Sequence, residues 1–265
     1  MHDEHPEPHA GAADSAGRPF AGRHFEASTS AFEGDDGTAS PQLLDTMRRF
    51  GAGEASQADV VDALREVRLL VPLVAHAGET GVDDHGHLVD KTQELSIVTV
   101  TTPDGRSALP AFTSTAAMTA WNPKARPIPT EARRVALAAA GENTDIVIID
   151  ATSPTEFVVR RPAVWAMAQG IPWRAPADDA EVLAVFSASV AAEPAVAAVS
   201  LQNGDPTSRM LGAELVVRLE LRPGLDQGAL TTLLARLHER WSQSPIVADR
   251  VDSLAVTLVA APSWV

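Results

Sequence analysis

The run Asp145-Ile146-Val147-Ile148-Ile149-Asp150 near the middle of the chain constrains the fold most. An unbroken apolar, β-branched stretch between two acids has no polar face to turn to water, so it reads as a short strand buried on both sides. Helical periods surround it, which makes the expected class α/β in the broad, α+β sense: helices packed on mixed sheets.

On the N-terminal side, Ser40 is placed to cap a helix with Pro41 at its first position and Leu43, Leu44, Met47 and Phe50 as one stripe. A second helix follows, with Ser56 and Asp59 three apart as an acidic variant of the capping box. Leu69 to Ala75 reads as a strand, and its Pro72 favours a sheet edge. Leu95 to Thr102 and Arg106 to Phe112 flank Pro103-Asp104-Gly105, a hairpin pattern. A short helix capped by Thr113 or Ser114 ends near Trp121-Asn122-Pro123, and Thr130 caps another running from Glu131 to Gly141. Phe157 to Arg160 pairs back across Ser153-Pro154, and Pro162 opens a helix ending at Gly170. Pro172 and Pro176 mark a linker. Beyond it the order is α-β-β-α-β, as in a ferredoxin-like domain short of one strand. The expected organisation is therefore a disordered acidic arm (1–39), a first mixed module (40–170), a linker (171–177) and a second mixed module (178–265).

Composition excludes several function classes. The formal charge is −14, and acids outnumber bases in the arm and in both modules. Nucleic acid and anionic membrane both call for a cationic stripe, so neither is an expected partner. There is no cysteine, which removes disulfides, thiolate nucleophiles and thiolate metal sites. No basic, apolar leader and no apolar run of membrane-spanning length is visible, and the expected location is the cytoplasm.

Each constellation that could carry chemistry has a competing structural role. His76, Asp83, Asp84, His85 and His87 share a polar stretch, but His85 and His87 stand two apart with no helix to present them. They are weak metal candidates, and no metal or cofactor is expected. Ser114 lacks the flanking glycines of a nucleophile elbow and reads as a helix cap. Gly51-Ala52-Gly53 ends a helix instead of following a strand, so it is no phosphate loop. Asp150 ends the buried strand, where α/β proteins tend to place active sites, but capping of the strand end is the simpler role. Arg160 and Arg161 next to it suggest a surface ion pair. Of five tryptophans, Trp165 sits at core spacing. Trp121, with Asn122, Pro123, Arg126 and Pro127, is either core or the anchor of a partner-binding surface.

Leu109-Pro110-Ala111-Phe112-Thr113-Ser114, Trp121 with Pro127 and Pro129, and Asp145 to Asp150 together resemble the SseB N-terminal domain family in the form found in high-GC bacteria; an abundance of Ala and Arg with two lysines suits that source. The resemblance spans about residues 40 to 170 and implies a fold without catalytic residues to carry over. Any tie to sulfur transfer would be indirect, since no cysteine exists to hold a persulfide. The expectation is thus a non-enzymatic binding or regulatory protein with an unknown protein partner. The alternatives are a metal- or small-molecule-dependent enzyme using the His76 to Asp90 loop with Asp150, and self-association through a sheet edge at Leu69 to Ala75 or Leu254 to Ala260.

Overall fold

The computed structural model describes residues 32, 34–76, 80–82, 88–90, 94–141 and 144–262. The expected disordered arm (1–39) lies almost wholly outside the described residues. All regular elements belong to one compact unit, Gly37–Val265. In chain order they are α1 (Pro41–Gly51), α2 (Gln57–Arg65), β1 (Arg68–His76), β2 (Thr80–Val82), β3 (Leu88–Asp90), β4 (Glu94–Ile97), β5 (Val100–Thr101), β6 (Ser107–Ala111), α3 (Thr115–Trp121), β7 (Arg126–Glu131), α4 (Ala132–Gly141), β8 (Val147–Ile149), β9 (Phe157–Val159), α5 (Arg161–Gln169), a 3-10 turn (Pro176–Asp178), α6 (Ala180–Val190), β10 (Val196–Asn203), β11 (Leu215–Leu221), α7 (Gln227–Ser242), α8 (Pro245–Arg250) and β12 (Leu254–Ala260). The mixed α/β class is as the sequence leads one to expect. No helix among the described residues is long and apolar enough to cross a membrane.

The helix starts follow the local chemistry. Ser40 Oγ accepts the Leu43 amide with Pro41 in the first turn, and Ser56 and Asp59 form a reciprocal capping box. Each satisfies amides that the helix itself leaves unpaired, a gain of about 1 kcal/mol per cap.

The central layer joins two sheets, β4-β1-β7 and β5-β6-β8-β9. They meet where Leu70 and Phe112 exchange both backbone hydrogen bonds, at 2.8 and 2.9 Å. β8 lies parallel to β6 and antiparallel to β9. Its side chains alternate as a strand covered on both faces requires. Val147 and Ile149 join Leu43, Leu64, Val135 and Met167 in one apolar cluster, while Ile146 and Ile148 join Leu70, Phe112, Met118 and Met210 in another.

The C-terminal sheet, β10-β11-β12, packs one face on α6, α7 and α8. Leu215, Val217 and Leu219 form the fully buried side of β11, and they cluster with Phe186, Leu237, Trp241 and Val247 of the helices. β10 and β11 are antiparallel, whereas β12 docks parallel to β11 after the α7 crossover, which leaves β12 at the sheet edge.

Three expectations are corrected. Leu69 to Ala75 is not an edge: β1 is the middle strand of its sheet. Pro72 is tolerated there because it shares the parity of Leu70, whose polar groups face Phe112. On that side the bridge has ended at Leu70, and pairing with β4 begins only at Leu73, so no ladder bond is lost. Thr130 does not cap α4, because residues 126–131 continue as β7 and the helix begins at Ala132. Trp165 is not core: it is 49% exposed, and its indole N–H donates to Asp145 Oδ1 at 3.1 Å.

Candidate functional site

The corner from Trp121 to Ile128 is built by a helix end, a turn and a strand. Ser114 caps α3 by accepting the Ala117 amide at 3.1 Å. At the other end of α3, the Trp121 ring lies 5.2 Å from that of Phe112, tilted by 39°, half-buried against the core. Asn122 folds the chain back, its Oδ1 accepting the Lys124 amide at 3.0 Å and its carbonyl the Ala125 amide at 3.1 Å. β7 then carries the chain along the edge of its sheet.

Pro127 pairs with Pro72 and Pro129 with Leu70. Since Leu70 directs its polar groups at Phe112, the backbone nitrogens of Pro127 and Pro129 face away from β1, towards the open edge. That edge therefore lacks two N–H donors and resists addition of another strand. What it offers is side chains. Pro123, Lys124, Arg126 and Pro127 are exposed, and Ile128 is 40% exposed. Neither Lys124 nor Arg126 forms an ion pair within 4.0 Å among the described residues. The structure thus brings Trp121, Asn122, Pro123, Arg126 and Pro127 into one strip and adds Lys124 and Ile128, which alternate with the prolines too irregularly to stand out in sequence.

Asp150 ends β8 in the left-handed region, at φ 48°. Its carboxylate accepts the Thr113 amide at 2.8 Å, the Thr113 hydroxyl at 2.8 Å and the Thr155 hydroxyl at 3.0 Å. Burial pushes this carboxyl above its usual range, against the pull of those donors. The acid ties the end of β6 to the β8–β9 turn. Asp83, Asp84, His85 and His87 lie outside the described residues, and the described residues contain no group of three or more His, Asp or Glu placed to hold a metal.

Arg160 is not in a surface pair with Asp150. It is buried, 7% exposed in its side chain, and reaches Asp205 Oδ2 at 2.6 Å and Asp252 Oδ2 at 3.2 Å. It also donates to Gly212 O at 2.8 Å and Ser253 Oγ at 3.2 Å. Arg106 grips the same Asp252 with two bonds of 2.8 Å. Burial alone would raise the Asp252 carboxyl; the Arg106 and Arg160 guanidiniums hold it below the usual range. Beside them Glu214 accepts the Asp252 amide at 2.6 Å, and burial pushes its carboxyl up to about 7, with the Asp252 charge adding to the effect. Glu214 Oε1 and Trp173 Nε1 are buried without a hydrogen-bond partner, and both residues line a cavity of about 10 Å³, room for one water molecule. Gln57 completes the cluster by donating to Asp205 O and Ser208 Oγ. This cluster clasps α2, β9 and α5 to the segments before β11 and β12. Arg160 and its two acids lie 45 and 92 positions apart in sequence, separations with no periodic signal.

No curated protein and no solved structure matches the chain. The stretch from the start of α1 into α5, residues 41–166, matches the family model of the SseB protein N-terminal domain, and it contains the Trp121–Ile128 strip together with Arg106, Asp150 and Arg160. Residues 41–166 are thus similar to the SseB protein N-terminal domain, as the sequence of that stretch leads one to expect.

Proposed function

We propose that the chain is a non-enzymatic, cytoplasmic protein-binding module and that the strip Trp121, Asn122, Pro123, Lys124, Arg126, Pro127 and Ile128 is its contact surface. The observation that carries this reading is the pair of exposed cations flanking exposed apolar side chains on a preformed edge. In a chain of charge −14, Lys124 and Arg126, in no ion pair among the described residues, favour an acidic, partly apolar segment of the partner. Rigid framing supports the same reading. Trp121 is seated on Phe112 and Asn122 locks the turn, so binding orders little that is not ordered already. The outward prolines steer recognition to side chains instead of β-addition. The buried acids support a structural role for the rest of the polar groups, since Asp150 spends its oxygens on Thr113 and Thr155.

The test is a paired capture from the native host with wild type and a Lys124→Glu, Arg126→Glu variant. Both side chains are exposed, so the variant is expected to keep wild-type stability within about 0.5 kcal/mol. Proteins recovered by wild type in both tag orientations should fall at least about tenfold with the variant, the effect of losing two rim charges on an acidic partner. Equal recovery by both, or no partner above background, contradicts the reading.

A further inference from the structure

The free edges of the three- and four-stranded sheets are protected in different ways, except one. β7 turns two proline nitrogens outward, and β9 has its Val158 amide occupied by Ser208 O at 2.7 Å. β5 is two residues long, β4 is four residues long, and β10 carries a register shift between Val196 and Ala198. Proline, cover, shortness, charge and bulges are the means by which sheet proteins blunt their edges. Among the described residues β12, Leu-Ala-Val-Thr-Leu-Val-Ala, has none of them. It runs regularly beside β11 over all seven residues, with Ala255, Val256, Thr257 and Leu258 exposed; Val256 is 37% and Leu258 38% accessible. Ser253 O and Ala261 N bond to β11, so the residues of odd number turn their polar groups inward. Those of Leu254, Val256, Leu258 and Ala260 face the open edge.

We propose that β12 is the seam of a symmetric dimer, pairing antiparallel about Thr257 with β12 of a second copy of this chain. That register opposes Val256 to Leu258 of the second copy and Leu254 to its Ala260, the residues whose amides and carbonyls face outward, so each pair can exchange two hydrogen bonds. The sequence is self-complementary as well. On the helix-covered side the opposed pairs are Val256 with Leu258 and Leu254 with Ala260; on the other side Ala255 meets Val259, and Thr257 meets Thr257. Every directly opposed pair is apolar or Thr–Thr, the combinations that stabilise cross-strand contacts. The charge arrangement selects the same partner. Two chains of −14 repel, but the antiparallel register sets Asp252, already held by Arg106 and Arg160, opposite Pro262 of the other copy, so no like charges face each other along the seam. A parallel register would align Asp252 with Asp252. The result is a six-stranded sheet continuous across a two-fold axis, an isologous contact that closes.

The experiment is light scattering coupled to size exclusion on the full chain over a wide concentration range. Wild type is expected to shift from monomer to twice the monomer mass. Val256→Lys and Leu258→Glu, each exposed enough to leave the melting temperature of the dilute protein unchanged, should each weaken dimerisation on the order of tenfold or more, because each loses two cross-strand pairs per dimer. Mixing the two variants sets the introduced ammonium of one chain opposite the introduced carboxylate of the other and should restore a dimer that neither forms alone. Wild type monomeric throughout, a variant dimer as tight as wild type, or a mixture no tighter than its components would each overturn the proposal.

Discussion

Arg160→Met is expected to cost the folded protein about 3 to 5 kcal/mol, the usual loss when one partner of a buried ion pair is removed. Asp252 would keep Arg106, but Asp205, 1% exposed in its side chain, would retain only the Met210 and Arg209 amides at 2.7 and 3.3 Å. The loss is thus mainly the cost of an uncompensated carboxylate at Asp205. Arg160→Lys recovers only part of it, since an ammonium cannot reach two acids, a carbonyl and a hydroxyl in the geometry of a guanidinium. Urea denaturation followed by circular dichroism reads the effect as a lower midpoint. The control is Arg48→Ala, whose pair with Asp45 is exposed and whose removal should leave the midpoint in place. A loss at Arg160 no larger than at Arg48 would mean that the cluster does not hold the fold.

Glu214→Gln is expected to remove a pH dependence of up to about 3 kcal/mol. The folded protein keeps the Glu214 proton up to about pH 7, whereas the unfolded chain releases it near 4.5. Between those values the folded state binds more protons, so this group's contribution is full below pH 4.5, falls as pH rises, and is gone above about pH 7. Glutamine stays neutral throughout and can still accept the Asp252 amide. The variant should therefore match wild type near pH 4.5 and exceed it in stability at pH 8. Asp252, Asp179 and Glu193, all held low, act in the opposite sense at more acidic pH. Asp150 is raised and acts in the same sense as Glu214, but it is common to both proteins, so their difference isolates position 214. Equal slopes for wild type and variant between pH 5 and 7 would contradict the burial of an ionisable Glu214.

Local chemistry was legible in the sequence. Ser40 with Pro41, Ser56 with Asp59, and the Ile-Val-Ile-Ile run each carry their own cause within a few residues, and each stands where that cause puts it. Partners distant in the chain were not legible. Pro72 reads as an edge residue by itself, and only the gap between the Phe112 bridge and β4 explains a proline in a middle strand. Arg160 beside Asp150 in sequence suggests a surface pair, yet its acids come from the turn after β10 and the segment before β12. Trp165 has helical core spacing, but α5 buries Val164 and Met167 and turns the indole out to Asp145. For the strip, Trp121 to Pro127 could be named from residue types alone. That its prolines close the strand edge while Lys124, Arg126 and Ile128 stay open follows from the register of β7 on β1.

The most direct test of the binding account is site-specific photo-crosslinking in the native host, with the reactive side chain placed at Ile128 and, as control, at exposed Glu239 on α7. A discrete adduct to another protein is expected from position 128, absent from position 239 and lost when Lys124→Glu and Arg126→Glu are added. The same adducts from both positions, or none from position 128, would contradict the binding account.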